Sequence, residues 1–512
     1  MPTDIATPSI AYSAIAPLLI VFGAAILGVL VEAFAPAERR RGLQIFVAIA
    51  GLVAAFVSVV LLAGTFELVA ADAIAVDGPA LFLQGTLAAL GITGILLIAE
   101  RELDASGGAV IAQASSLPGS AEDRAQAESL QVQTEIYPLA MFSLGGMMLF
   151  PAANNLLLMF VALEVLSLPL YLMAGLARRR RLLSQEAAVK YFLLGAFASA
   201  FFLYGVALIY GYAGSVDLPR VLDATSVAAS NELLLYLGIA MLAVGLLFKI
   251  GAVPFQAWTP DVYQGAPTPV TALMASATKV AAFGALLRVM YVAFGRTEWD
   301  WRPMFWVIAI LTMVVGALLA VTQTDVKRML AYSSVAHTGF ILVGVIAINP
   351  EGLAATLFYL LAYGFTSMAS FALVGLVRDG SGEATHLAQW AGLGRRSPLV
   401  AGAFAFLLFA LAGIPLTSGF MAKFAVFRAG IEGGATALVI VGVVASAVTA
   451  FFYARVVVLM FFNDPAPDGP TVAVPSAFTA AAIAIGLAVT VVLGVLPQPV
   501  LDLAERAALF VR

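Results

Sequence analysis

Apolar runs long enough to cross a bilayer recur along almost the whole chain, near 11–34, 42–63, 79–100, 136–152, 154–176, 187–213, 232–256, 267–294, 303–322, 329–348, 353–377, 398–428, 435–462 and 473–496. A helix needs about 20 residues to span the hydrocarbon core. In lipid every backbone N–H and C=O must be satisfied within the protein, which leaves helices and closed barrels. Runs of this length imply an all-α polytopic membrane protein with about fourteen transmembrane helices. Only 11% of residues are charged, against roughly 25% in soluble domains.

The loops set an orientation. With both termini outside, fourteen Lys and Arg fall in cytoplasmic loops and six in external segments, as the positive-inside rule asks. The N-terminus, MPTDIATPSIAYSA, lacks the basic region of a cleavable signal peptide, so the first run reads as a retained helix. Residues 101–135 read as a polar cytoplasmic loop, and the tail PQPVLDLAERAALFVR as an amphipathic segment at the interface.

Two spans are punctuated. The seventh reads GLLFKIGAVPFQAW, with Lys249 before Pro254; the twelfth reads LAGIPLTSGFMAKFAVF, with Pro415 before Lys423. Proline removes a backbone hydrogen bond and clashes with the preceding turn. Interrupted helices at corresponding places in two halves are the mark of an inverted-repeat transporter. The expected organisation is a three-helix segment (1–100), the polar loop (101–135), a first five-helix repeat (136–295), a second (303–462), and a last helix with its tail (473–512). The stretch 258–270, WTPDVYQGAPTPV, is too rich in Pro and Gly to continue the seventh helix and reads as a re-entrant turn lining access to Lys249.

The chain has five lysines, and Lys190, Lys249, Lys279 and Lys423 lie inside apolar runs; Lys327 sits at a helix end beside Arg328. A charge at the bilayer centre costs about 2.5–3.5 kcal/mol on insertion scales. Arg stays protonated, whereas a desolvated Lys can release its proton, so lysine inside and arginine outside suggests proton movement. One such lysine could simply snorkel to the interface; four of them with a mid-span Glu164 favour a relay. Glu164 should be protonated or paired with a cation, and Lys249 or Lys190 is the expected partner. His337, among Ser333, Ser334 and Thr338, is either a relay or a packing group, and Asp261 is a further polar candidate. Arg288 and Arg455, nearer span ends, read as structural.

Other classes are excluded. There is no cysteine to hold an iron–sulfur cluster, and of the two histidines His386 lies in a polar loop, so no bis-histidine haem fits within the bilayer. No phosphate-binding loop or dinucleotide fingerprint occurs.

The stretches FKIGAVPFQAWTPDVYQGAPTPVTALMASATKVAAFG, QTDVKRMLAYSSVAHTGF and GIPLTSGFMAKF resemble the antiporter-like membrane subunits of respiratory complex I, the proton-translocating NADH–quinone oxidoreductase, and the resemblance covers essentially the whole chain. Gln256, Tyr263 and Gln264 stand where the L and M branches of that family usually carry histidine-containing versions, and Lys423 stands where the M branch generally has Glu. The resemblance implies proton transfer by Glu164, Lys249, Lys279 and Lys423, with Lys190 as a further family lysine. It also implies no cofactor on this chain, with FMN, iron–sulfur clusters and quinone in partner subunits. The implied partners are antiporter-like subunits M and L, small membrane subunits and lipid, in a bacterial cytoplasmic membrane. A subunit of a multisubunit cation/proton antiporter, which shares the fold, is the alternative.

Overall fold

The computed structural model describes residues 11–103, 108–111, 117, 119–122, 133–226, 231–380, 382–465 and 469–511. Most of the 101–135 loop thus lies outside the described residues.

Each expected run forms helix. In chain order the elements that matter are α1 (Ala16–Phe34), α2 (Ala37–Leu61), α3 (Gly78–Ile98), α4 (Ile136–Leu149), α5 (Leu156–Ala174), α6 (Arg181–Ala213), α7 (Glu232–Ile250), α8 (Trp258–Gly265), α9 (Thr268–Ala293), α10 (Glu298–Val321), α11 (Val326–Ala347), α12 (Pro350–Val374), α13 (Pro398–Ala412), α14 (Ser418–Glu432), α15 (Thr436–Phe462), α16 (Ala477–Val495) and α17 (Gln498–Ala507). Among the described residues, twelve helices are long and apolar enough to cross a membrane on their own. The fourth run gives the shorter α4, and the twelfth gives two short helices, α13 and α14.

Burial separates an inner set from an outer one. The apolar window of α9 is 100% buried and those of α11 and α12 94%, against 33% for α1. A helix apolar all round belongs inside a bundle, so whatever α9, α11 and α12 carry is shielded from lipid by the rest of the chain. The outer helices leave rows of Leu, Val and Phe exposed, such as Leu157, Val161, Leu168 and Leu172 on α5.

Both punctuated spans are broken where expected. After α7 the chain passes Gly251 at φ +73° and a cis Val253–Pro254 bond; after α13 it passes Gly413 at φ +84° and Leu416 at φ +68°. At the second break the returning helix nearly touches the one it left: a Cβ on Gly419 would sit 1.8 Å from the Ala410 carbonyl oxygen. That oxygen is backbone and cannot swing aside. Gly419→Ala is expected to reduce the amount of folded protein in the membrane severalfold on an immunoblot, whereas Gly402→Ala, with open space around its Cα, should leave it unchanged.

One expectation needs correction. The 258–270 stretch is no simple turn: α8 forms within it, because Pro260 falls in the first helical turn, where the missing N–H is not needed. The chain also carries two small sheets. The hairpin β1 (Glu67–Val69) with β2 (Ile74–Val76) pairs Leu68 with Ala75, and β3 (Val377–Asp379) is flanked by β4 (Gly382–Glu383) and β5 (Thr471–Val472). Finally, the amphipathic tail folds back as α17 against α3 and α12, burying Ala504 and Ala507.

Candidate functional site

Lys249 occupies the last turn of α7, one residue before the chain breaks. Its ammonium donates to the Ser167 hydroxyl of α5 at 2.6 Å and approaches the Tyr191 hydroxyl at 3.5 Å. It also lies over the Tyr171 and Tyr191 rings, 5.6 and 5.3 Å from their centroids. Trp258, at the start of α8, stacks on Tyr191 and ties its indole N–H to the Phe248 carbonyl. The amine thus lies against two tyrosine rings, from α5 and α6, whose faces attract the cation, and the segment after the break braces one of them through Trp258.

Lys279 follows a five-residue π-helical turn, Met274–Thr278, in α9, a distortion that often re-aims a side chain at a functional position. Its ammonium donates to the Ser334 carbonyl (2.6 Å), the Ser334 hydroxyl (2.7 Å) and the Thr338 hydroxyl (2.7 Å), with the Tyr363 ring 5.3 Å away. The Thr338 hydroxyl in turn donates to the Ile250 carbonyl at 2.8 Å, so the Lys279 cradle is joined to the residue after Lys249.

Lys423, on α14, turns back onto the carbonyls that the second break frees at the end of α13, Leu411 (3.1 Å) and Ala412 (2.9 Å), and onto Ser446 (2.9 Å). Cations are favoured at helix C-termini. The Phe340 ring covers it at 4.8 Å. His337 lies between the last two sites. Its ring is 5.0 Å from Tyr363 and 5.7 Å from Phe340, Nδ1 is 2.7 Å from the Tyr359 hydroxyl, and Nε2 is buried without a partner among the described residues.

Lys249, Lys279 and Lys423 are nearly inaccessible, at 3–5% exposure, and none has a carboxylate within ion-pair distance among the described residues. Burying a charge without a counter-charge is costly. Hydroxyls, carbonyls and ring faces are what this protein offers instead.

Glu164 makes no direct ion pair with Lys249 or Lys190 among the described residues. Glu164 lies on the edge of the exposed stripe of α5, half-buried, and its Oε1 has no hydrogen-bond partner among the described residues. Lys249 turns to Ser167, one helical turn further on. Lys190 is no mid-membrane amine either: its side chain is 41% exposed, and it bridges Glu186 and Asp261, both at 2.7 Å. Asp261 also accepts from Arg328 at 2.7 Å. Burial alone would push the Asp261 carboxyl up, but the hydrogen bonds from Lys190 and Arg328 outweigh it and hold it below the usual carboxylate range. Asp261 thus pins α8 between α6 and α11. Neighbouring Gln264 hydrogen-bonds Asp325 and Arg328.

Lys327 escaped the sequence reading. It is 2% exposed and donates to the Ala266 carbonyl (2.9 Å) and the Thr268 hydroxyl (3.0 Å), with Glu383 of β4 at 3.5 Å. A helix-end lysine beside an arginine reads as solvated; its burial comes from β4 and the α8–α9 corner closing over it. Arg288 and Arg455 are both anchored to neighbouring elements. Arg288 is fully buried against Asp77, and Arg455 caps α10 through the Val321 and Gln323 carbonyls. Among the described residues no cluster of His, Asp or Glu suits a metal ion.

Residues 153–449 match the family model described as NADH:quinone oxidoreductase/Mrp antiporter, transmembrane. The chain is 64% identical to NADH-quinone oxidoreductase subunit N of Parafrankia sp., covering 98% of this chain and 96% of that one. It is 56% identical to subunit N of Mycobacterium bovis, covering 99% of each. Among solved structures it resembles a chain of Thermus thermophilus respiratory complex I with bound aureothin, at 32% identity, with 96% and 99% coverage and a TM-score of 0.77. A chain of the Mrp complex from Dietzia sp. shares the fold at 24% identity, with 98% and 97% coverage and a TM-score of 0.81. The chain belongs to the NADH:quinone oxidoreductase/Mrp antiporter family of membrane subunits, and the two curated relatives named above are subunit N chains.

Proposed function

We propose that this chain is a proton-translocating membrane subunit of a bacterial NADH:quinone oxidoreductase. The observation that carries the reading is the row of buried amines Lys249, Lys279 and Lys423. Each is held by hydroxyls or carbonyls, and the row is linked through Thr338–Ile250 on one side and the Tyr363–His337–Phe340 group on the other. An amine held this way can give up and regain a proton without breaking an ion pair, and hydroxyls and waters can relay it. Protons enter from the cytoplasm near Lys190 and Asp261, reach Lys249, pass along Lys279 and His337, and leave outward through Lys423. Glu164, at the lipid- or partner-facing edge of α5, biases the charge on Lys249 from outside the row.

The membrane is the cytoplasmic membrane, with both termini outside. Helices of 136–295 and 303–462 form the two inverted repeats, whose broken members are α7–α8 and α13–α14. The chain performs no redox chemistry: FMN, iron–sulfur clusters and quinone belong to partner subunits, and subunits M and L and small membrane subunits are its neighbours. Mild-detergent extraction from the native membrane and a native gel stained for NADH dehydrogenase test this. The reading requires a very large, flavin- and iron-containing active band; a smaller inactive assembly with sodium-dependent proton flux would instead support the cation/proton antiporter.

A further inference from the structure

The proposed row begins at Lys249, yet Lys279 has a separate polar approach. Lys327, Thr268 and Glu383 form a compact group: Lys327 donates to Thr268 at 3.0 Å and faces Glu383 at 3.5 Å. Burial would raise the Glu383 carboxyl, but the Lys327 charge and a hydrogen bond from Thr268, with Arg378 and Arg180 nearby, keep it low. Two surface clefts, of about 40 and 50 Å³, meet at Glu383, one lined by Thr268 and the other by Lys327. Each has room for water. Unlike Lys327, Glu383 keeps 20% of its side chain exposed.

From this group two helix faces lead inward. By helical spacing, Thr268, Ala272, Ala275 and Lys279 share one face of α9, and Lys327, Ala331, Ser334 and Thr338 one face of α11. The faces meet at both ends, at Thr268–Lys327 and at Lys279–Ser334. The seven helical steps from Lys327 to Ser334 span about 10 Å. Ala272, Ala275 and Ala331 line that interval.

We propose that Glu383 and Lys327 form a second cytoplasmic inlet, delivering protons to Lys279 along the α9–α11 seam without passing through Lys249. Lys327 passes a proton inward through water and the Ser334 hydroxyl to an unprotonated Lys279. Glu383 takes a proton from cleft water and reloads Lys327. The inlet rests on the proton-carrying role and the orientation proposed above.

The test uses the whole complex in proteoliposomes. Glu383→Gln keeps the shape of the side chain and removes the acceptor, so proton uptake is expected to slow about tenfold, with assembly intact and Glu383→Asp recovering most of the rate. Because this chain has no cysteine, labelling of Ala331→Cys read on the separated band of this chain reports one position. The thiol is expected to react with a small water-soluble thiol reagent in inverted vesicles and to stay unmodified in right-side-out ones. Wild-type pumping by Glu383→Gln, or an unreactive Ala331→Cys, overturns the inlet. Lys249→Ala is measured alongside: wild-type pumping there would strike at the proton-carrying role rather than at this route.

Discussion

Lys279→Met should stall the complex. NADH:quinone turnover is expected to fall about tenfold or more, while NADH oxidation by a water-soluble artificial acceptor stays at the wild-type rate. The side chain sits in α9, the most enclosed helix, and three oxygens converge on its ammonium. Methionine fills the same volume without a proton to exchange. Lys279→Arg should be nearly as impaired. A guanidinium stays protonated and its planar fork does not fit a cradle built for a compact ammonium. Retained turnover in both variants would mean that Lys279 fills space.

The second large effect concerns assembly. The Arg288–Asp77 pair is fully buried at 2.7 Å. Asp77 also caps α3 through Ala80 N–H at 3.1 Å and accepts from the Val511 N–H at 3.1 Å, while Arg288 donates to the Pro151 carbonyl at 2.5 Å and lies under Phe510. One ion pair therefore ties α9, α3, the end of α4 and the tail together. Arg288→Leu leaves Asp77 as an uncompensated buried charge, a loss of about 3–5 kcal/mol. Much less assembled complex and a lower thermal inactivation temperature should result. Adding Asp77→Asn removes the stranded charge and keeps an acceptor for the cap, so the double variant should recover part of the loss. If the double variant is as poor as the product of the two single ones, the pair is not coupled.

These two cases show what a linear sequence reveals. Lys249, Lys279 and Lys423 were legible because a charge amid twenty apolar residues is anomalous whatever the fold. The breaks were legible because Pro254 and Pro415 cannot sit quietly inside a helix. Partnerships were not legible. Arg288 and Asp77 are 211 residues apart, and nothing local distinguishes Asp77 from an ordinary helix cap. Lys190 looked like a mid-membrane amine because apolar residues follow it, but its helix begins at Arg181, which places it near the polar end beside Glu186. Lys327 looked solvated because its burial is made by β4, a two-residue strand too short to leave a pattern. Glu164 was matched to a lysine by charge alone, whereas the geometry gives Lys249 a hydroxyl one turn away.

The central claim is that buried amines of this chain carry protons, and Lys249 tests it most directly. The measurement is the ratio of protons moved to electrons transferred by the Lys249→Ala complex, purified intact and reconstituted in sealed proteoliposomes. The account predicts normal assembly and a ratio clearly below wild type. A wild-type ratio at a wild-type rate would contradict it.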